Sequence, residues 1–149
     1  MDVTHVAAIV DDAVQGYPKN PFHPPEVFPE FSHSSLVPQI CNPNNQVYQA
    51  VRKTLIELKL DAEYIGTPQW NPFRALIKPG DRVVIKPNLV FDWHPLGTTG
   101  FEALITHASI IRVIIDYILL AVGTNCRITV CDVPLQTADW QNLVQQGVY

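Results

Sequence analysis

Ile77-Lys-Pro-Gly-Asp-Arg-Val-Val-Ile-Lys-Pro-Asn-Leu-Val90 is the stretch on which the fold turns. Pro79-Gly80-Asp81 is a strong turn signal, and the Val-Val-Ile centre that follows is β-branched throughout. A strand of that composition is expected to be covered on both faces, as in a parallel sheet. Pro87 ends it, because proline cannot donate to a ladder.

Downstream, Thr106 is a candidate N-cap for a helix running from His107 to Val122, with Gly123 as its C-terminal cap. Its polar positions Ser109, Arg112 and Asp116 share a narrow stripe and the rest is apolar, so this helix is expected to be largely buried. Arg127-Ile-Thr-Val-Cys131 reads as another strand, ending at Asp132-Val-Pro134. Thr137 or Asp139 then starts a short helix through Gln146, capped by Gly147.

Upstream, Val6-Ala-Ala-Ile-Val10 reads as a short buried strand emerging at Asp11-Asp12. The stretch from Tyr17 to Pro43 holds seven of the thirteen prolines, which remove backbone donors and fix φ, so an extended surface loop is expected there. Its aromatics Phe22, Phe28 and Phe31 have two readings, a cover over the sheet edge or a surface that recognises a partner. Asn44 or Asn45 can cap the next helix, in which Val47, Val51, Leu55 and Leu58 form one apolar stripe.

Strands alternating with helices imply parallel strands joined by right-handed crossovers. The expected fold is therefore α/β: a parallel sheet with flanking helices, three-layer and Rossmann-like, as a single domain over residues 1–149 with a proline-rich insertion at about 17–43. Gly147 closes a helix that should lead into a further strand. The expectation is an incomplete domain, its sheet edge covered by a missing C-terminal region or by another copy in a homo-oligomer.

Hydrophobic residues make up 47% and charged residues 16%, which suits a globular body rather than a disordered one. A net charge of -4 argues against nucleic acid or an anionic membrane as the main partner, since both select basic patches. Cys41, Cys126 and Cys131 are an odd number without CxxC spacing, and the start carries no basic, apolar leader. The apolar run from Ile110 to Val122 falls short of the about 20 residues a membrane span needs and contains Arg112 and Asp116. A soluble cytoplasmic protein is expected.

In open α/β sheets ligands bind beyond the carboxyl ends of the strands. That rule selects Asp11, Asp12, Lys86, Asn88, Asp92, His94 and Asp132, with Thr106 and His107 at the start of the long helix. Lys86 finishes a buried strand, so its ammonium needs water, a carboxylate or an anion. Asp132 is the internal partner at hand. One reading aims Lys86 at a phosphate or carboxylate; the other pairs it with Asp132 for structure alone. Asn88 is either a ligand donor or the close of a turn after Pro87. Gly97-Thr-Thr-Gly100 is either a flexible polar loop that wraps an anion with backbone amides or an ordinary loop, and it lacks the spacing of a Walker loop or GxGxxG. His94 beside Asp92 would make a carboxylate-oriented base if the pair is more than incidental. No histidine pair has metal-ligand spacing, so no metal site is expected. Cys126 and Cys131 fall on opposite strand faces and read as packing residues.

The stretch from Ile77 to Val90, Ile105-Thr-His-Ala-Ser-Ile-Ile-Arg-Val-Ile-Ile-Asp116 and Asp132-Val-Pro134, in that order, resemble the domain of unknown function 362 family. Its hallmark is a strand ending in Lys-Pro-Asn; members usually have proline where this chain has Ala108. The resemblance implies a domain longer than this chain and singles out Lys86, Asn88, Thr106, His107 and Asp132 as site positions. It transfers no settled activity. Some members carry a ferredoxin-like iron–sulfur module, but three dispersed cysteines cannot hold a Cys-ligated cluster, so no cofactor is assigned.

Three functions follow as expectations: binding or conversion of a small anionic metabolite anchored by Lys86, a non-catalytic interaction or structural module, and a redox-linked fragment that docks with an iron–sulfur partner.

Overall fold

The computed structural model describes residues 6–37 and 39–145, apart from the side chains of Thr98 and Thr99. Its regular elements are the helices α1 (Gln46–Glu57), α2 (Thr98–Glu102), α3 (Ala108–Val122) and α4 (Trp140–Leu143), and the strands β1 (Arg82–Ile85) and β2 (Arg127–Val130). The protein is mixed α/β. Gln146 and Gly147, expected to close the last helix, lie outside the described residues.

β1 and β2 pair in parallel, with Arg82 opposite Arg127 and Ile85 opposite Val130. Burial alternates along both strands, so the sheet is covered on one face rather than two. Val83 and Ile85 turn inward and border an apolar cavity of about 340 Å³ shared with Ile114 and Ile118 of α3. Val84, on the other face, is 64% exposed. The run from Val6 to Val10 is irregular, so the strand expected there does not form. Two alanines at its centre give it weak β-propensity, and a lone strand gains nothing without a ladder partner. Asp11 instead bonds Lys53 of α1 at 2.5 Å, while Ile9 and Val14 lie beside Val47 and Ala50.

The main core sits between α1, α3 and the proline-rich segment. Phe28, Phe31, Val37, Tyr48, Leu55, Trp70, Val113 and Tyr117 form one buried cluster. Asn45 starts α1: its side-chain oxygen accepts the Tyr48 N–H at 3.1 Å, and its amide donates to the His23 carbonyl at 2.9 Å. Val47, Val51 and Leu55 face the core as the stripe predicts, while Leu58, its fourth member, is the half-buried C-cap and stands outside the cluster. Tyr48 joins them because its hydroxyl reaches Asp116 at 2.9 Å.

Proline leaves residues 17–43 without regular strand or long helix, yet they are not merely a surface loop. Glu30, in a short 3₁₀ turn at Pro29–Phe31, is 3% exposed. Its carboxylate accepts from Arg52 Nε at 2.7 Å, Arg52 Nη2 at 3.1 Å and the Tyr117 hydroxyl at 2.7 Å. The Arg52 guanidinium lies over the Phe28 ring, 4.4 Å from its centroid. Burial of two charges is sustained here by full pairing. Phe28 and Phe31 therefore pack against helices, not over the sheet edge.

α3 is apolar over most of its girth, but its polar stripe points inward. Ser109 and Asp116 are 0% and 1% exposed, and Asp116 accepts from Arg112 Nε at 2.8 Å as well as from Tyr48. Burial raises the Asp116 pKa despite these two donors. Gly123 ends the helix with φ 65°, a conformation that favours glycine.

Candidate functional site

Parallel pairing in register brings β1 and β2 to an end at the same edge, and the ladder runs one step further where Cys131 N–H donates to the Ile85 carbonyl at 3.1 Å. Lys86 and Asp132 leave the sheet together. Lys86 Nζ lies 2.6 Å from Asp132 Oδ1, with the lysine side chain 70% exposed and the aspartate side chain 5% exposed. The other oxygen, Oδ2, accepts the Leu89 N–H at 2.7 Å. Lys86, then the Leu89 and Val133 amides, hold the Asp132 carboxyl below the usual carboxylate range.

Pro87 is buried and turns the chain so that Asn88 meets Thr106. Asn88 N–H donates to Thr106 Oγ1 at 2.9 Å, and Thr106 N–H donates back to the Asn88 carbonyl at 2.7 Å. Leu89 and Ile105 form an antiparallel bridge, and Leu135 N–H donates to the Val90 carbonyl at 3.0 Å. Residues 86–90, 104–107 and 131–135 are thereby stitched into one rim over the small core of Leu89, Phe101, Ile105 and Leu143.

Because its hydroxyl serves Asn88, Thr106 does not cap α3. His107 does, its Nδ1 accepting the Ser109 N–H at 3.2 Å. An acceptor Nδ1 puts the proton of the neutral ring on Nε2. The imidazole stacks on Tyr17 at 4.2 Å between centroids and meets Phe22 edge-on at 5.5 Å. Burial lowers its pKa, with Glu102 opposing weakly. Tyr17 and Phe22 thus belong to the site's surroundings, although nothing in a proline-rich stretch ties them to a helix start so distant in sequence.

The structure brings Lys86, Asn88, Thr106, His107 and Asp132 to this rim by backbone and side-chain contact. Other candidates are engaged elsewhere. Asp11 belongs to Lys53. Asp92, 9% exposed, accepts from Asn142 Nδ2 of α4 at 2.9 Å, a bond that lowers its pKa. His94 accepts the Leu96 N–H through Nδ1 at 3.1 Å. Gly97 to Gly100, expected as a loop, begins α2, with Gly97 at φ 66° as its N-cap. Phe101, 3% exposed, anchors that turn. Cys131 is exposed rather than packed, and Cys126 is half-buried.

Chemically, the rim offers one accessible ammonium held at a fixed point by a buried carboxylate. One Lys86 donor goes to Asp132, leaving two for a ligand. Among the described residues no three His, Cys, Asp or Glu side chains are grouped to hold a metal, and no helix is long and apolar enough to cross a membrane. No family model, curated protein or solved structure matches the chain.

Proposed function

We propose that the rim binds a small phosphate- or carboxylate-bearing ligand, with Lys86 as its charged anchor. The observation that carries this reading is the Lys86–Asp132 pair: a lysine side chain 70% exposed, its ammonium positioned by a carboxylate that is itself fixed by the Leu89 amide. Pairing on one side only leaves the cation able to take a second, incoming anion. The Lys-Pro-Asn strand end is also the feature shared with the family that the chain resembles, and membership of that family belongs to the same reading. So does a three-layer, Rossmann-like sheet, whose second layer would cover the face that exposes Val84. Three free thiols suit a reducing compartment such as the cytoplasm.

Titration of the full chain with inorganic phosphate and succinate, by calorimetry, tests the anchor. Lys86→Ala should weaken saturable binding about tenfold or more, the loss expected of one charge-assisted hydrogen bond. Equal affinity in wild type and variant, with both folded, overturns the assignment.

A second reading, a protein-contact surface, is favoured by one feature near the same rim. Trp93, Leu96, Val133, Leu135 and Trp140 are between 45% and 91% exposed. Tryptophan in particular is enriched among the residues that anchor contact surfaces. A solution mass that falls from dimer to monomer in Trp93→Ser would favour contact over metabolite binding.

A further inference from the structure

A cavity lies away from the rim, inside the proline-rich segment. It measures about 750 Å³ and lies between residues 18–23 and 40–44, within the size range of small-molecule sites. Its polar lining is Lys19, Asn20, His23, Cys41, Asn42 and Asn44, with Pro18, Pro21, Ile40 and Pro43 as walls. One ammonium, one imidazole and three carboxamides line it; no carboxylate does.

The walls are fixed by bonds that sequence proximity does not supply. Asn42 N–H donates to the Pro24 carbonyl at 2.8 Å, joining the two limbs. Fully buried Asn45 ties the His23 carbonyl to the start of α1. Asn42 Oδ1 is occupied by the Asn44 N–H at 3.2 Å, so its remaining polar group is the donor amide. Lys19 is exposed and has no ion-pair partner among the described residues, and the Asn20 and Asn44 carboxamides carry no protein hydrogen bond among them. His23 Nδ1 is buried without a hydrogen-bond partner, although the ring interacts electrostatically with Asp116. The Lys19 ammonium and the Asn20 and Asn44 side-chain amides are thus free to donate, and the one formal charge is positive.

We infer that this cavity is a second ligand site, which takes a small oxyanion, phosphate or carboxylate, with Lys19 supplying charge and the asparagine amides supplying directed donors. Cation and amides together match the acceptor-only oxygens of such a group. A cationic ligand would find no carboxylate in the lining. The site is independent of Lys86.

The test is an amide and side-chain NMR titration of the full chain with inorganic phosphate, repeated with succinate to separate the two oxyanion sources. Saturable shifts should appear at residues 18–23 and 40–44, the side-chain amides of Asn20 and Asn44 among them. Lys19→Gln should weaken them about tenfold or more, and Asn44→Ala should weaken them further when combined with it. Both positions are exposed and carry no core contact, so the thermal midpoint should not move. Lys86→Ala should leave these shifts unchanged. Absence of saturable shifts with either anion, shifts confined to residues 86–90 and lost in Lys86→Ala, or shifts indifferent to Lys19→Gln would each overturn the inference.

Discussion

Arg52 of α1 grips Glu30 of the proline-rich segment through two parallel donors, Nε at 2.7 Å and Nη2 at 3.1 Å, with side chains 12% and 0% exposed. This fork is what fastens an otherwise irregular segment to the helices.

Removing one member leaves the other charged and buried. Arg52→Ala and Glu30→Ala should each cost about 3–5 kcal/mol in urea unfolding, because an unpaired buried charge is far more expensive than a lost pair. The double variant should cost clearly less than the sum. Strict additivity would show that the two side chains do not share one interaction.

At the rim the balance differs. Lys86 is 70% exposed, so its pairing with Asp132 contributes no more than about 1 kcal/mol. Lys86→Ala should unfold within that margin of wild type. Asp132→Asn keeps an acceptor for Leu89 N–H but removes a carboxyl whose folded pKa is lowered. The unfolded chain then binds protons first, so stability from this group is present above the ordinary 3.8 and is lost as pH falls through the lower folded value. The Asn variant should show a shallower acid limb below about that pH; an unchanged limb contradicts the pairing.

His107 must keep Nδ1 unprotonated to cap α3, and burial between Tyr17 and Phe22 lowers its pKa below 6.5. A depressed folded value means stability is full above 6.5 and declines as pH falls through it toward the folded pKa. His107→Asn retains a good cap but cannot titrate, so the difference in stability between about pH 7.5 and about pH 5, either side of the ordinary histidine value, should shrink. His107→Ala should lose about 1 kcal/mol at the higher pH and less at the lower one.

Gly100 has a negative φ and could accept alanine on backbone grounds alone. Space forbids it: a Cβ there would sit 1.9 Å from His94 Nδ1. Gly100→Ala should destabilise by about 1–3 kcal/mol through overpacking. In a His94→Ala background the same change should be neutral or stabilising, since alanine is the better helix former. Thermal melts of the four proteins decide it.

Features encoded locally were legible in the sequence. Asn45, Gly123, Asp139 and the Pro79-Gly80 turn act within a few residues, and each marks the boundary expected of it. Thr106 was the cap expected for α3, but Asn88, eighteen positions away, takes its hydroxyl and the cap falls to His107. Val6 to Val10 reads as a short apolar strand, but its two alanines favour β only weakly, and it has no ladder partner among the described residues, which composition cannot reveal. Burial of Glu30 was invisible because prolines erase the periodicity by which an inward side chain is recognised. Lys86 beside Asp132 was readable, because parallel strands ending together need only their carboxyl ends identified. Tyr17 and Phe22 around His107 were not.

The grip on Glu30 has a consequence for synthesis. Its third donor, Tyr117, lies 87 positions later in the chain. At about 5–20 residues per second, a ribosome takes roughly 4 to 17 s to cover that interval. Until then Phe28, Phe31 and Tyr48 have no α3 to pack against, so a nascent chain carries this apolar surface unprotected for seconds, long enough for a chaperone to find it.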